Sequence, residues 1–492
     1  MFHPLTGSKF LLRLFDIIVP IFTWIIITLP LWLSPFHPAV VAYFIISFDL
    51  YFFYKSYTTV YYAVLSYRMI QRFQKVPFSK KLNPLKRARD IAHFVIIPTF
   101  QEPVYKLEST ISALTRGDYP YKNIHLVLAF EQRESQAHEK ADRLIKKFRG
   151  YFGEIITTYH PLLEGEIAGK ASNQTYAARQ VDKYVTRNQI RRENTIVTIC
   201  DADSHLSRNY LSYLTFAYLK DREHLYHFYW APVLLYNNFW KLPFFVRMQA
   251  TLSSILRLAF LSQSKKLIQI STYSTSLWLL EKVGFWDVDI IPEDWHIYYQ
   301  AFFLYGEKVQ TIPLYTLVNG DAVHSGGIFK TLVNRYEQEK RWAWGASDIG
   351  YVLKNFFTSQ HVKTSVKLKK LIFLIETHLL WPVSFFVLTV SALIPPLVNP
   401  VFKRTVLGFL LPKLSSLILT LSTSALLIYV YLDIKLRKKL AQKTQARNLP
   451  LLLIQWYMLP VVSFILSSLP ALDAHTRIIL GKKLKYKVTE KV

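Results

Sequence analysis

An α/β domain inserted between transmembrane helices is the fold class this sequence predicts. Three observations carry that prediction. Long apolar segments gather in two groups, one near each end of the 492 residues. Aromatic residues make up 15% of the chain and the mean hydropathy is positive, a composition unusual for a soluble protein. Between the two groups, short apolar runs alternate with amphipathic stretches, the pattern of strands and helices layered into one sheet.

The first apolar segment, Ile17–Leu33, follows Lys9 and Arg13. It is long and lacks a small-residue cleavage site, so a retained span is expected rather than a cleaved leader. After the uncharged link Ser34–His37 comes a second, Pro38–Leu65, whose tyrosine-rich second half leaves through the interface. Together they make a hairpin over residues 1–67. Further spans are expected at about Leu371–Val398, Val406–Leu432 and Pro450–Leu472, followed by a basic tail over 473–492.

The net charge of +27 fits nucleic acid or an anionic membrane face. The apolar spans favour the membrane, and nucleic acid is not expected as a partner. Arg68, Arg72, Lys75, Lys80 and Lys81 after the second span, with Lys435, Arg437, Lys438 and Lys439 after the fourth, point to a cytoplasmic central domain. An integral protein of the cell (plasma) membrane follows. Five crossings would leave Lys482, Lys483, Lys485 and Lys487 outside, against that rule. Gln455 and Pro460 interrupt the last segment, so a broken or re-entrant course is the alternative. The single cysteine, Cys200, allows no intramolecular disulfide.

In the central domain, 68–370, the runs Ala92–Pro98, Ile124–Phe130, Ile155–His160 and Thr195–Cys200 read as buried strands. Helical patterns fall between them, at about Val104–Arg116, Ser135–Phe148 and Gly169–Arg187. The expected sheet is parallel, covered on both faces, with ligands at the carboxyl ends of its strands. Two stretches, Phe239–Leu261 and Trp344–Phe357, are apolar but interrupted, the first by Lys241, Arg247 and Arg257; both read as interfacial amphipathic helices.

Three constellations lie in series. Asp201 and Asp203 follow the fourth strand, where two carboxylates can hold a hard divalent cation against a diphosphate; a turn or helix cap would use Asp equally well. Glu293 and Asp294 open a helix that continues from Trp295 to Leu304. That position suits a carboxylate acting as a base, and also simple capping. Gln338, Arg341 and Trp342 share one helical face. There Arg341 offers a fork for phosphate oxygens and Trp342 a plate for a sugar ring. Lys170 follows Gly169 at a helix start, within reach of a phosphate or simply solvated.

Taken in this order the motifs resemble those of membrane-embedded family 2 glycosyltransferases, the group of cellulose, chitin and hyaluronan synthases. The resemblance covers roughly Ala92–Tyr351. It adds Thr99, Gln101 and Glu102 of Pro98–Glu102 as a nucleotide-binding segment, and Lys170 of Gly169–Asn173 as a donor contact. It implies a GT-A-like Rossmann-type domain and a nucleotide-sugar donor, expected to be a UDP-sugar. Donor contacts are implied at Thr99, Gln101, Glu102, Glu131, Lys170, Asp201, Asp203 and Arg341. A Mg²⁺ or Mn²⁺ ion is implied on Asp203 and Asp201, the catalytic base at Asp294, and acceptor contacts at Glu293, Gln338 and Trp342. The tail Lys485–Thr489 is similar to the family's cytoplasmic ending. Three positions differ from the family pattern. Glu131 stands where an Asp is common, Ser271–Leu280 lacks an arginine pair, and Pro292 replaces a Thr before Glu293-Asp294. The activity implied is inverting sugar transfer to a growing polysaccharide, with processivity favoured by Gln338, Arg341 and Trp342. Transfer of one sugar to a lipid acceptor, or an inactive scaffold or transporter, are the alternatives.

Overall fold

The first four predicted strands form the parallel half of a seven-stranded mixed sheet; three are short apolar runs buried on both faces, and Glu154–His160 is the partly exposed edge. In the computed structural model, which describes residues 9–439 and 454–484, these are β1 (Ala92–Thr99), β2 (Ile124–Glu131), β3 (Glu154–His160) and β4 (Thr195–Ile199). The order runs β3-β2-β1-β4, and β4 then pairs antiparallel with β8 (Tyr273–Ser276). Beyond it lie β6 (Phe228–Trp230) and β9 (Thr311–Pro313). A second, three-stranded sheet joins β5 (His205–Leu206), β10 (Val318–Asn319) and β7 (Val233–Leu234). The sheet is therefore mixed, where strand–helix alternation predicted a parallel one. The antiparallel strand β8, Tyr-Ser-Thr-Ser, is buried with its hydroxyls satisfied. Ser274 meets Thr198 at 2.8 Å, and Thr275 donates to the His227 carbonyl at 3.0 Å.

Helices Val104–Thr115, Ala137–Phe148 and Lys170–Arg187 cover the parallel strands. Asn173, on the last of these, donates to the Ala129 carbonyl at 2.8 Å and so ties that helix to the carboxyl end of β2. The two stretches read as interfacial each begin with a 3₁₀ turn. Phe239–Lys241 precedes helix Phe244–Leu261, and Trp344–Ser347 precedes helix Asp348–Thr358.

Among the described residues, six helical segments are long and apolar enough to cross a membrane: Phe10–Leu33, Pro38–Phe73, Phe244–Leu261, Thr364–Thr389, Val406–Arg437 and Gln455–Ile479. Five correspond to the spans read from the sequence. The sixth, Phe244–Leu261, differs: 61% of its apolar window is buried by the protein, against 17–39% for the others. It is also flanked by β7 and β8, strands of the central domain on either side.

The last segment is broken, because Pro460 and Pro470 cannot donate to a continuous ladder. It runs as a 3₁₀ turn Gln455–Met458, a short helix Leu459–Ser463, a π-turn Phe464–Ser468 and the helix Leu469–Ile479. Its end returns to the beginning of the first helix, where Arg13 donates to the Ile478 and Ile479 carbonyls at 2.5 and 2.9 Å. The start of the first helix and the end of the last thus lie at one level, which five complete crossings would not allow. Arg437, counted above as a topology charge, is fully buried. It donates to Asp433 at 3.0 Å and sits over the Phe239 ring, so it is a packing residue. The start of the predicted last span at Pro450 and the tail Lys485–Thr489 lie outside the described residues.

Candidate active site

Every residue singled out as a site candidate lines one cavity of 1540 Å³. Strand ends and helix starts bring them there. Thr99 and Glu131 end β1 and β2, Asp201 and Asp203 follow β4, and Lys170 and Glu293 each open a helix.

The carboxylates are held by a small number of donors. The Lys170 ammonium reaches Asp201 at 2.8 Å, Glu293 at 3.0 Å and the Ser271 carbonyl at 3.0 Å. Burial opposes its charge, but Asp201 and Glu293 outweigh that and hold its pKa well above the usual lysine value. Lys170 therefore binds the two carboxylate constellations together.

Ser271 completes the link. Its hydroxyl donates to Asp201 and its amide to Asp294 at 2.9 Å. Its φ of +69° is unusual for serine, and it aims the amide at the Asp294 carboxylate. The segment lacking an arginine pair thus fixes two acids through backbone and hydroxyl. The other Asp294 oxygen accepts the Trp295 amide at 3.0 Å. Burial and the adjoining Glu293 push Asp294 up to about 7, against the pull of Lys170 and of the two amides. A carboxylate at that value suits proton transfer near neutral pH.

Asp203 accepts the Asp321 amide at 3.1 Å, and Asp321 pairs with Lys106. No group of three or more His, Cys, Asp or Glu that could hold a metal occurs among the described residues. Asp203 and Asp201 supply two hard carboxylates facing the cavity, which fits a divalent cation that takes its remaining ligands from a diphosphate and water.

The nucleotide-binding candidates shape a loop. Glu102 accepts the Thr99 hydroxyl at 2.7 Å and the Phe100 amide at 2.5 Å. Gln101, at φ +66°, donates its amide to Glu134 at 2.9 Å. Glu131 is buried and pairs with Arg133, whose guanidinium lies 4.0 Å over the Phe100 ring.

Gln338, Arg341 and Trp342 sit late in helix Ile328–Ala343. Trp342 is flanked by two guanidiniums, Arg335 at 4.8 Å and Arg257 at 5.2 Å from its ring centre. Fully buried Arg335 also donates to Gln338, Gln249 and Glu339. Arg335, Gln249, Glu339 and Asp321 were not foreseen. The available signal was Arg257, a charge inside an otherwise apolar helix. Gly345 lets the end of this region pack against His378, since a Cβ there would fall 2.9 Å from that ring. His296, two residues after Asp294, meets Asp348 at 2.8 Å and Asp287 at 2.9 Å. Burial disfavours its charge, but Asp348 and Asp287 hold it up to about 9.

Comparison with known proteins bears on this site. Among solved structures, a mannosyltransferase from Pyrobaculum calidifontis in complex with GDP-Man and Mn²⁺ is 15% identical at a TM-score of 0.41, covering 81% of this chain and 100% of its own. TarS 1–349 of S. aureus in complex with UDP-GlcNAc is 12% identical at 0.38, covering 71% and 92%. GalNAc-T7 with UDP, GalNAc and Mn²⁺ is 14% identical at 0.31, covering 61% and 56%. These likenesses are weak. No curated protein matches the chain. The model of glycosyl transferase family group 2 matches residues 196–433, which hold Asp201, Asp203, Glu293, Asp294 and the Gln338–Trp342 segment. Over those residues this chain is similar to the family 2 glycosyltransferases.

Proposed function

We propose that this chain is an inverting, processive glycosyltransferase of the cell membrane. It moves sugar from a nucleotide-sugar donor, a UDP-sugar, to a growing polysaccharide at the cytoplasmic face. The observation carrying this reading is the reach of the cavity. From Asp201, Asp203 and Asp294 it continues past Trp342 and along helix Thr364–Thr389 as far as Leu388 and Thr389. Its membrane portion mixes hydroxyls (Ser384, Ser422, Ser463) with aromatic plates (Trp381, Phe385, Tyr429). Sugars want both, hydrogen bonds at their edges and apolar contact on their faces.

In this mechanism Asp294 accepts the proton of the acceptor hydroxyl as that oxygen attacks the anomeric carbon. The bond from that carbon to the diphosphate oxygen breaks on the opposite face, so the configuration inverts. Each Asp294 oxygen already accepts one amide and keeps a further lone pair for the incoming proton. A Mg²⁺ or Mn²⁺ ion, held by Asp203 with Asp201, supplies charge neutralisation for the departing diphosphate when bound. Arg341 adds a second cation for that charge, and Trp342 supports the acceptor ring. Thr99, Gln101, Glu102 and Glu131 shape the nucleotide end, while Glu293 and Gln338 border the acceptor. The lysines and arginines after the second span favour the cytoplasmic orientation.

Transfer of a single sugar to a lipid is the second reading, favoured by Phe48, Phe52, Leu380 and Leu388 in the same lining. Purified protein in detergent, screened with nucleotide sugars and Mn²⁺ or Mg²⁺, tests both through nucleotide release and product size. A saccharide ladder is expected. A single extractable glycolipid would select the second reading, and silence with every donor would overturn the enzyme.

A further inference from the structure

Just beyond the catalytic carboxylates the cavity passes an aromatic stack. Trp295 lies 5.7 Å from Phe373, and Phe260 lies 6.0 Å from the same ring. About one helical turn further along Thr364–Thr389, Glu376 meets three donors. Lys55 of the second span pairs with its Oε1, and the Tyr51 hydroxyl donates to the same oxygen at 2.6 Å. Lys266, from the turn after helix Phe244–Leu261, reaches Oε2 at 3.2 Å.

Tyr51, Lys55 and Glu376 all line the cavity. Among the described lining residues from the helices Pro38–Phe73, Thr364–Thr389, Val406–Thr423 and Leu426–Lys439, Lys55 and Glu376 alone carry Asp, Glu, Lys or Arg side chains. Ionisable groups among apolar spans are costly, and where they persist they mark a substrate path. Two ammoniums share one carboxylate, so the group carries a net positive charge. Each ammonium has three N–H donors and gives one to Glu376, leaving donors unspent. A neutral sugar chain calls for hydroxyls and ring faces, not for a fixed positive charge.

We infer that Tyr51, Lys55, Lys266 and Glu376 form an acceptor subsite for an acidic group. The ligand is a carboxylate or phosphate that the acceptor carries away from its reacting hydroxyl. Glu376 is the resident anion that keeps the two ammoniums together until the acceptor's acid joins them. This rests on the transferase reading above and names the class of acceptor.

The test uses the full chain in nanodiscs with its UDP-sugar donor and three acceptor probes: a glucuronate-bearing hexasaccharide, a neutral hexaglucan of equal length, and undecaprenyl-diphosphate-linked glucose, whose sugar hydroxyl reacts while its phosphates lie apart from it. Nucleotide release yields kcat/KM for each. For the wild type the acidic probe is preferred over the neutral one by about tenfold or more, carried in KM, as expected for charge-assisted hydrogen bonds. Lys55→Met and Lys266→Met each lower that ratio by about tenfold, whereas Glu376→Gln raises it. A merely structural ion pair would not move the ratio in opposite directions. Preference confined to the hexasaccharide assigns the acid to the saccharide; preference confined to the undecaprenyl-diphosphate-linked glucose assigns it to a lipid. Equal kcat/KM for acidic and neutral probes overturns the subsite, even while acceptor-free nucleotide release shows that the transferase stands. Absence of release from every donor overturns the transferase and the subsite with it. Should Glu376→Gln fail to fold, Lys266→Met, on a half-exposed turn, carries the test.

Discussion

The two ends of the cavity are built on opposite principles. At the donor end, charges are held in place. Lys170 spends its donors on Asp201, Glu293 and the Ser271 carbonyl, and Ser271 fixes Asp201 and Asp294. Along helix Thr364–Thr389, beyond Glu376, the lining is serine, threonine, leucine and aromatic rings. Fixed charge serves a reaction that must stabilise developing charge at one point. A path along which a chain slides calls for many weak contacts and no deep well. Under the proposed function, the contrast is that between a reaction centre and a passage.

The sharpest way to break this comparison is at the base. Asp294→Asn is expected to lower turnover by about 10²–10⁴-fold while nucleotide binding stays near the wild-type value. Equal turnover would remove Asp294 from its role. Next in size is Lys170→Met, which leaves two carboxylates without their shared partner. Losing one member of a buried pair costs about 3–5 kcal/mol, to be read in a denaturation curve. The same variant tests the electrostatics, because Lys170 holds Asp294 down. Its acidic limb of kcat/KM should move to higher pH.

In the wild type that limb should lie near pH 7. Asp294 is protonated below about 7 and cannot accept a proton, so kcat/KM rises as pH climbs through that value. A flat profile from pH 5 to 9 would place the essential base elsewhere. At the passage end, Ser422→Trp should shorten the product more than it slows nucleotide release, measured by gel and by coupled assay. Proportionate loss of both would make the far cavity part of the reaction centre.

The smallest effect belongs to His296. Its folded pKa of about 9 exceeds the unfolded value near 6.5. The stability it contributes is therefore complete below about 6.5 and lost as pH rises through about 9. Melting temperature should fall across that window, and His296→Gln should flatten the fall.

The parallel half of the sheet was legible because β1, β2 and β4 are apolar runs buried on both faces, and periodicity reports burial directly. Strands β5 to β10 were not, being two to four residues long; β8 is also largely hydroxylic, and its burial depends on partners from β4 and β6. The broken course of the last apolar segment was foreshadowed by Gln455 and Pro460. Its return to Arg13 was not, since a contact across more than 450 residues leaves no local trace.

By itself, the sequence singled out the candidates for chemistry: the carboxylate pairs, Lys170 at a helix start, and the Gln338–Trp342 face. These are matters of residue type and spacing along one element. Only the tertiary structure decided what those residues hold on to. Lys170 bridges Asp201 and Glu293, Ser271 aims an amide at Asp294, and Glu376 gathers Lys55 and Lys266 from distant segments. Pairing between charges depends on distance in space, and burial makes it strong. Neither quantity is written along the chain.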